Sequence, residues 1–562
     1  MAATRRYDLR TLGADLGAAA TVAALAIPQG IAYALIAGLP PAMGLYAASV
    51  PAIAAGFLRS SRHVVAGPTN ALSLLVGGSV AGISASEGAD PVAIAVALAF
   101  WVGLVQLAAG FLRIGIAVGY ISTAVVGGYI TAAATLIVYG QLPNLAGPTE
   151  LALGLGTALA MVLLQRLHAS FPAALASIIV ATAVVVLLPD DLATIGDLAP
   201  IPSGLPPLTI PFEIPIATHM ALLSAALAAA VLSLVESDAV GRGLARASGE
   251  RVDTDREIAG QGIANLAAAF SGGYPVSGSL ARSMLNFRAG AQTRAAGVLS
   301  GVLVLMAVPL GAGIIDRVPV AGLAGMLLVL AWDLVDLRSM RRTLRGSLGD
   351  AAAFVVTFLG AWTLRLDIAI YLGVGVSIVL FLRRARMLVV RELQVDADGH
   401  LREAEGRSCR VIRVLHAEGP LFFGAAAELQ NALDDALEDR RLHVLVLRLK
   451  RTQGMDLSAA QVLEEGAERL RARGGRFMLV GLLPDPLALL ERTGVADSIG
   501  RENIFPTQEG WFAAMDQALE EALEHDHHEA DCPLIAYLEG RAGGPVPVAD
   551  REVAEVRSGR GD

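Results

Sequence analysis

The sequence predicts an α-helical multi-spanning membrane protein of about fourteen spans, built as an inverted repeat with two half-helices, plus a cytoplasmic α/β domain. Three observations predict it. Hydrophobic residues fill 54% of the 562 positions and the mean hydropathy is +0.59, above what a water-facing surface tolerates. Ala, Val, Leu, Ile and Gly dominate the first two thirds, whereas Glu, Asp and Arg become frequent from about Arg383. Two apolar stretches, His63 to Leu75 and Gly272 to Met284, break at Gly and Pro in corresponding places of two halves, the pattern of an inverted repeat with its site near the midplane.

Apolar runs fall near residues 15–37, 42–58, 67–84, 90–112, 115–139, 150–167, 171–189, 217–238, 256–271, 275–288, 294–314, 318–335, 350–364 and 366–383. The arginines orient them, because short loops rich in Lys and Arg stay in the cytoplasm. With Arg5, Arg6 and Arg10 inside, Arg59 and Arg62, Arg113, Arg166, Arg242 through Arg251, Arg338 through Arg345 and Arg383 through Arg386 fall inside too. The break from Pro189 to Pro215 carries acids without Lys or Arg and is placed outside. An even number of crossings then puts both termini in the cytoplasm, as expected of a bacterial inner-membrane protein. The polar N-terminus shows no signal-peptide pattern. The domains are a cytoplasmic segment 1–14, a transmembrane domain 15–387, a linker 388–407, an α/β domain 408–524 and a loose tail 525–562.

In the α/β domain, CRVIRVLHAEGPLFFG (Cys409 to Gly424) reads as paired strands and AAAELQNALDDALED as a helix, followed by strand, helix, strand, helix as far as Val495. A net charge of −9 gives no footprint for nucleic acid. Cys409 and Cys532 are too few for a disulfide framework or a thiolate metal site. The tail run HDHHEADC (His525 to Cys532) has metal-ligand residue types but no spacing that fixes a geometry, and is read as a polar surface tail. No Walker A, GxSxG or HExxH pattern is present, so neither enzymatic chemistry nor a cofactor is expected.

The candidate site residues lie at the helix breaks. Pro28 is expected to break the first span, with Gln29 and Tyr33 one turn apart on one face as donors for a desolvated anion; tying helices together and packing are their alternatives. At the third span Thr69 and Asn70 follow Gly67-Pro68, and at the tenth Ser277, Ser279 and Ala281 lead to Arg282. A helix start offers free N–H groups and the positive dipole end, which together make an anion site. Arg282 fits either that site or an anchor at the cytoplasmic interface. Glu236 lies in VLSLVESDAV, close to the cytoplasmic boundary of the eighth run; within the membrane it is a proton-coupling candidate, and outside it merely solvated.

The stretches PQGIAYALIAGLPPAMGLY (Pro28 to Tyr46), SRHVVAGPTNALSLL (Ser61 to Leu75) and NLAAAFSGGYPVSGSLARSMLNFRAGAQT (Asn265 to Thr293) resemble the sulfate permease (SulP) anion transporters with a C-terminal STAS domain. The resemblance covers nearly the whole chain except the last forty or so residues. It implies seven plus seven spans, with spans one to four and eight to eleven as a core moving against a gate, in a homodimer. It further implies an anion held between the third and tenth half-helices at Gln29, Tyr33, Thr69 and the backbone about Ala281 beside Arg282, with coupling to a proton or sodium ion at Glu236. It favours the site reading for both Arg282 and Glu236. Ala281 stands where some relatives have serine. GMDLSAAQVL resembles the STAS motif bearing a regulatory serine, but Ala459 replaces the usual glycine after Ser458, which favours Ser458 as a simple helix cap.

The expected function is secondary active transport of a small inorganic anion, sulfate first, by alternating access with proton coupling. Bicarbonate, chloride or a C4-dicarboxylate are alternative cargoes, and a STAS-binding protein is a further expected partner. Rival readings are a nucleobase symporter, a channel, and a sensor or scaffold that binds without flux.

Overall fold

The computed structural model describes residues 7–113, 122–167, 172–187, 192–385, 388–395, 401–403, 409–452, 454–509, 512–526 and 532–542. Arg5, Arg6, Asp190, Asp191, the start of the fifth apolar run and most of the tail run after His525 lie outside these. The chain divides into two compact units, residues 1–378 and 379–562.

A helix stands in each of the fourteen apolar runs, all within the first unit except the last, which runs past its end at Ile378: α1 (Leu9–Ile36), α2 (Pro41–Leu58), α3 (Asn70–Glu87), α4 (Pro91–Phe111), α5 (Thr123–Gln141), α6 (Pro148–Leu167), α7 (Ala173–Leu187), α8 (Ile216–Ser248), α9 (Thr254–Phe270), α10 (Leu280–Arg288), α11 (Ala295–Ile315), α12 (Val320–Leu334), α13 (Leu348–Thr363) and α14 (Leu366–Ala385). Among the described residues nine helices are long and apolar enough to cross a membrane, and α7 and α13 are shorter apolar helices. The starts and stops follow local chemistry. Asp8, Asp90 and Ser122 accept first-turn N–H groups of α1, α4 and α5, and Gly88 and Gly249 end α3 and α8 in the left-handed conformation.

Two boundaries differ from expectation. Pro28 does not interrupt α1, which runs on for a further two turns; a proline removes one helical hydrogen bond, and in a buried helix its neighbours hold the remainder in line. The eighth run continues as helix ten residues beyond Asp238, so Glu236 lies inside α8, twelve residues before its end.

Helices α1–α4 pack with α8–α11, and α5–α7 pack with α12–α14. One close crossing joins α4 and α9, where a Cβ on Gly103 would stand 2.8 Å from the Leu266 nitrogen and one on Gly262 2.6 Å from the Leu107 nitrogen. Small residues let membrane helices approach this closely when there is no water to expel. Between the halves, β1 (Ala66–Gly67) pairs antiparallel with β2 (Ser277–Gly278), Ala66 opposite Gly278 and Gly67 opposite Ser277. The fold is thus seven plus seven spans, each half carrying one helix that begins in the middle of the unit after an extended run.

The second unit is a six-stranded sheet of order β4-β3-β5-β6-β7-β8, from β3 (Val389–Val395), β4 (Leu401–Arg402), β5 (Ile412–Glu418), β6 (Val444–Arg451), β7 (Arg476–Leu482) and β8 (Ile504–Pro506). Strands β5 to β8 are parallel. On one face lie α15 (Ala426–Leu437), α16 (Leu457–Arg471) and α17 (Pro484–Thr493); on the other lie α18 (Ala513–Asp526) and α19 (Pro533–Ala542). Residues 388–407, read as a linker, carry β3 and β4. Cys409 to Gly424 makes one strand rather than two, because Gly419 and Pro420 turn the chain into a 3-10 turn at Phe423–Ala425. The tail read as loose contains α19, which buries Leu534 and Tyr537 against α18 and bonds Tyr537 Oη to Asp516 Oδ1 at 2.9 Å. Ser458 does not cap α16; Asp456 does, accepting from Ala459 N at 3.0 Å while its other oxygen accepts from Phe423 N at 2.6 Å.

Candidate anion site between two half-helices

Each half-helix is delivered by an extended segment that the rest of the bundle pins. The segment before α10 is held by α8 and α9. Val276 N donates to Asn265 Oδ1 at 2.7 Å, and Gln261 Nε2 and Ser233 Oγ donate to Val276 O at 2.7 and 3.0 Å. Gly278 N donates to Ser237 Oγ at 2.7 Å, so close that a Cβ on Gly278 would stand 2.6 Å from that oxygen. The segment before α3 is held by α10 in turn: Val65 N donates to Ser283 Oγ at 2.9 Å, Ser279 N to Val65 O at 3.0 Å, and Asn286 Nδ2 to His63 O at 3.1 Å. Buried backbone that is neither helix nor sheet needs such partners, since no water reaches it.

The two helix starts therefore face one another across the β1–β2 pair. Ser279 caps α10, its Oγ accepting from Arg282 N, and leaves Ala281 exposed in the first turn with Arg282 fully buried behind it. Arg282 Nη2 donates to the Pro68 carbonyl, while its Nε and Nη1 have no hydrogen-bond partner among the described residues. At the other start Thr69 occupies the cap position of α3 but turns its hydroxyl away from the helix, donating to Glu236 Oε2 at 2.9 Å. Ser277 stands beside the same carboxylate. Asn70 is the first residue of α3, partly exposed, with its Oδ1 turned back to Ala71 N.

Helix α1 packs against both α3 and α10. Gln29 is buried, and neither end of its carboxamide has a partner among the described residues. Tyr33 is buried one turn on, near enough to Arg282 and Glu236 for both charges to act on its phenol. Unpartnered buried donors are costly, about 1–3 kcal/mol each, and a desolvated anion is the kind of ligand that satisfies several at once.

Of the residues singled out from the sequence, Thr69 and Glu236 are joined directly, and Ser279 and Arg282 share the first turn of α10; among the described residues the Asn70 side chain bonds only to Ala71 N and not to this group. Sequence reasoning missed the polar scaffold behind the site: Ser233, Ser237, Gln261, Asn265 and Gln106, with Asn265 Nδ2 donating to Gln106 Oε1 at 2.8 Å. It also missed Tyr274, which shares a hydrogen bond with Ser73 at 3.2 Å, and Tyr129, which donates to Ala71 O at 3.2 Å. The available signal was their polarity inside otherwise apolar runs.

The sulfate permease family model matches residues 12–154 and 148–357, and the STAS domain model residues 407–510. YvdB of Bacillus subtilis (strain 168) is 30% identical over 528 residues, covering 89% of this chain and 97% of its own. Sulfate transporter 3.2 of Arabidopsis thaliana is 27% identical over 572 residues, covering 92% and 88%. The solved murine Solute Carrier 26 family member A9 anion transporter, in its inward-facing state, superposes with a TM-score of 0.82 over 92% of each chain at 20% identity, which shows a shared fold. The chain is an integral membrane protein of the sulfate permease family with a STAS domain towards its C-terminal end.

Proposed function

We propose that the chain is a secondary active transporter of a small inorganic anion, sulfate first, working by alternating access. The observation that carries this reading is the convergence of two helix N-termini on one spot where buried Arg282 and Gln29 hold unpartnered donors. The bundle containing α3 and α10 carries the anion while the α5–α7 and α12–α14 bundle acts as the gate. Glu236 takes up a proton as the anion binds: its carboxylate, within α8 and bonded to Thr69 at the start of α3, feels whatever charge arrives there. Alternating access then requires the two bundles to exchange exposure around a fixed site. We place both termini in the cytoplasm of a bacterial inner membrane, in a homodimer whose STAS domain meets a protein partner.

Radiolabelled sulfate uptake into proteoliposomes tests this, with and without an inward proton gradient. Gradient-stimulated uptake abolished in folded Arg282→Ala is expected, and Glu236→Gln should remove the response to the gradient. Full, pH-independent uptake in Glu236→Gln would end the coupling proposal. Helix dipoles recognise negative charge rather than a particular anion. Tight vesicles that exclude sulfate but accumulate bicarbonate, chloride or a C4-dicarboxylate would move the reading to that cargo, and binding without flux would make the protein a sensor.

A further inference from the structure

In the second unit, β3, β5 and β6 bring together a group of side chains that anion transport does not use. His416 on β5 lies opposite Arg391 of β3 on one side and Arg448 of β6 on the other. Glu418 is two residues further along β5, so it shares the face of His416. Glu403 follows the end of β4, where Arg391 Nη1 donates to it. One ligand atom from each of Glu403, His416 and Glu418 lies within 4.8 Å of the other two.

The hydrogen bonding of the imidazole makes this more than a charged patch. His416 Nδ1 lies 3.3 Å from the Arg448 carbonyl. A carbonyl can only accept, so Nδ1 carries the proton and donates. In the neutral ring Nε2 then presents its lone pair, and it faces Glu418 Oε1 at 3.2 Å. An ionised carboxylate is also an acceptor only. Two acceptors face each other, an arrangement that favours a positive centre, a proton or a metal ion, between them. A proton there would make an imidazolium, buried, between two strands that each place an arginine opposite it, and would engage one carboxylate. A dication engages both carboxylates and the imidazole together. Nδ1–H held by a backbone carbonyl, with Nε2 turned towards a carboxylate, is also the way proteins orient histidine as a metal ligand.

We propose that Glu403, His416 and Glu418 bind a divalent transition-metal ion of the zinc class. The ligand set of one imidazole and two carboxylates suits zinc, with water as a fourth ligand. His416 is buried and fixed in the sheet, whereas Glu418 is half-buried and Glu403 exposed at the rim, so the carboxylates close onto the ion. Bond lengths of about 2.0–2.2 Å place tetrahedral ligand atoms about 3.3 Å apart, which requires that closing movement. Arg391 holds Glu403 in its place and, being mostly exposed itself, turns out to solvent when the ion binds. The site belongs to the STAS unit, and its test does not depend on transport.

Full-length protein in detergent, stripped with a chelator, is titrated with Zn2+ in competition with a chromophoric indicator. One tight site per chain is expected, weakened by about tenfold or more in His416→Ala and in Glu418→Gln, with X-ray absorption reporting imidazole and oxygen ligands. The tail histidines His525, His527 and His528 are a rival source, so the triple alanine variant is run beside them and is expected to keep the site. Zinc binding unchanged by His416→Ala, or lost only with the tail histidines, overturns the proposal, as does the absence of binding. Should His416→Ala fail to fold, Glu418→Gln at the rim decides alone.

Discussion

The Arg282 guanidinium fills the place where a side chain on Gly67 would stand: a Cβ built there falls onto it. The glycine in β1 and the arginine in α10 come from opposite halves, and the guanidinium rests against bare backbone. Gly67→Ala should therefore lower anion uptake at least tenfold and destabilise the protein by about 1–3 kcal/mol through overpacking. If the guanidinium is the obstacle, Gly67→Ala combined with Arg282→Ala will be more stable than the sum of the two single effects. Melting curves of the four proteins in detergent measure that coupling.

The Thr69 hydroxyl serves Glu236 rather than its own helix. Thr69→Val keeps the shape and leaves the carboxylate short of one donor, a loss of about 1–3 kcal/mol. Uptake should fall severalfold in Thr69→Val and stay near the parent rate in Thr69→Ser. Parent-like uptake in Thr69→Val together with a loss in Thr69→Ser would show that the methyl group, not the hydroxyl, matters.

Glu250, in the loop after α8, accepts from Arg62 N at 3.2 Å and pairs with Arg62 Nε at 3.4 Å, yet burial pushes its carboxyl above the usual range despite that bond. A carboxyl that holds its proton to higher pH when folded adds stability at low pH, and that stability is lost as pH rises through its folded value. At neutral pH the charge is a burden. Glu250→Gln should melt at or above the parent temperature at pH 7.5, the difference shrinking as pH falls towards about 4.3. A lower melting temperature at pH 7.5 would mean the ion pair outweighs burial.

Leu534 of α19 is buried against α18 and the sheet. Leu534→Ala should cost about 2–4 kcal/mol and lower the STAS melting transition, an effect absent if α19 were dispensable.

The fourteen runs and the two interruptions were legible because each leaves a local mark: apolar length, and Pro or Gly at Pro68 and Pro275. The βα rhythm after Ser408 was legible for the same reason. What was not legible depends on distant partners. Thr69 meets Glu236 across 167 positions, and Asn265 meets Gln106 across 159, with no periodicity tying them. Pro28 misled because a proline marks one missing hydrogen bond, not the support of the surrounding helices. Glu236 could be placed inside a helix only once the turn at Gly249 was known to end α8. In the STAS unit the strand in the presumed linker was hidden because Arg391 and Glu392 put a charge on each face of β3, which gains its stability from pairing with β5.

The two-residue ladder between β1 and β2 also bears on how the protein is made. When Ala66 and Gly67 leave the ribosome their hydrogen-bonding partners do not yet exist, and they have none until Ser277 and Gly278 have been synthesised and inserted. The N-terminal half thus cannot close this backbone edge, nor fill the seat beside Gly67, before the segment carrying Ser277, Gly278 and Arg282 is in place.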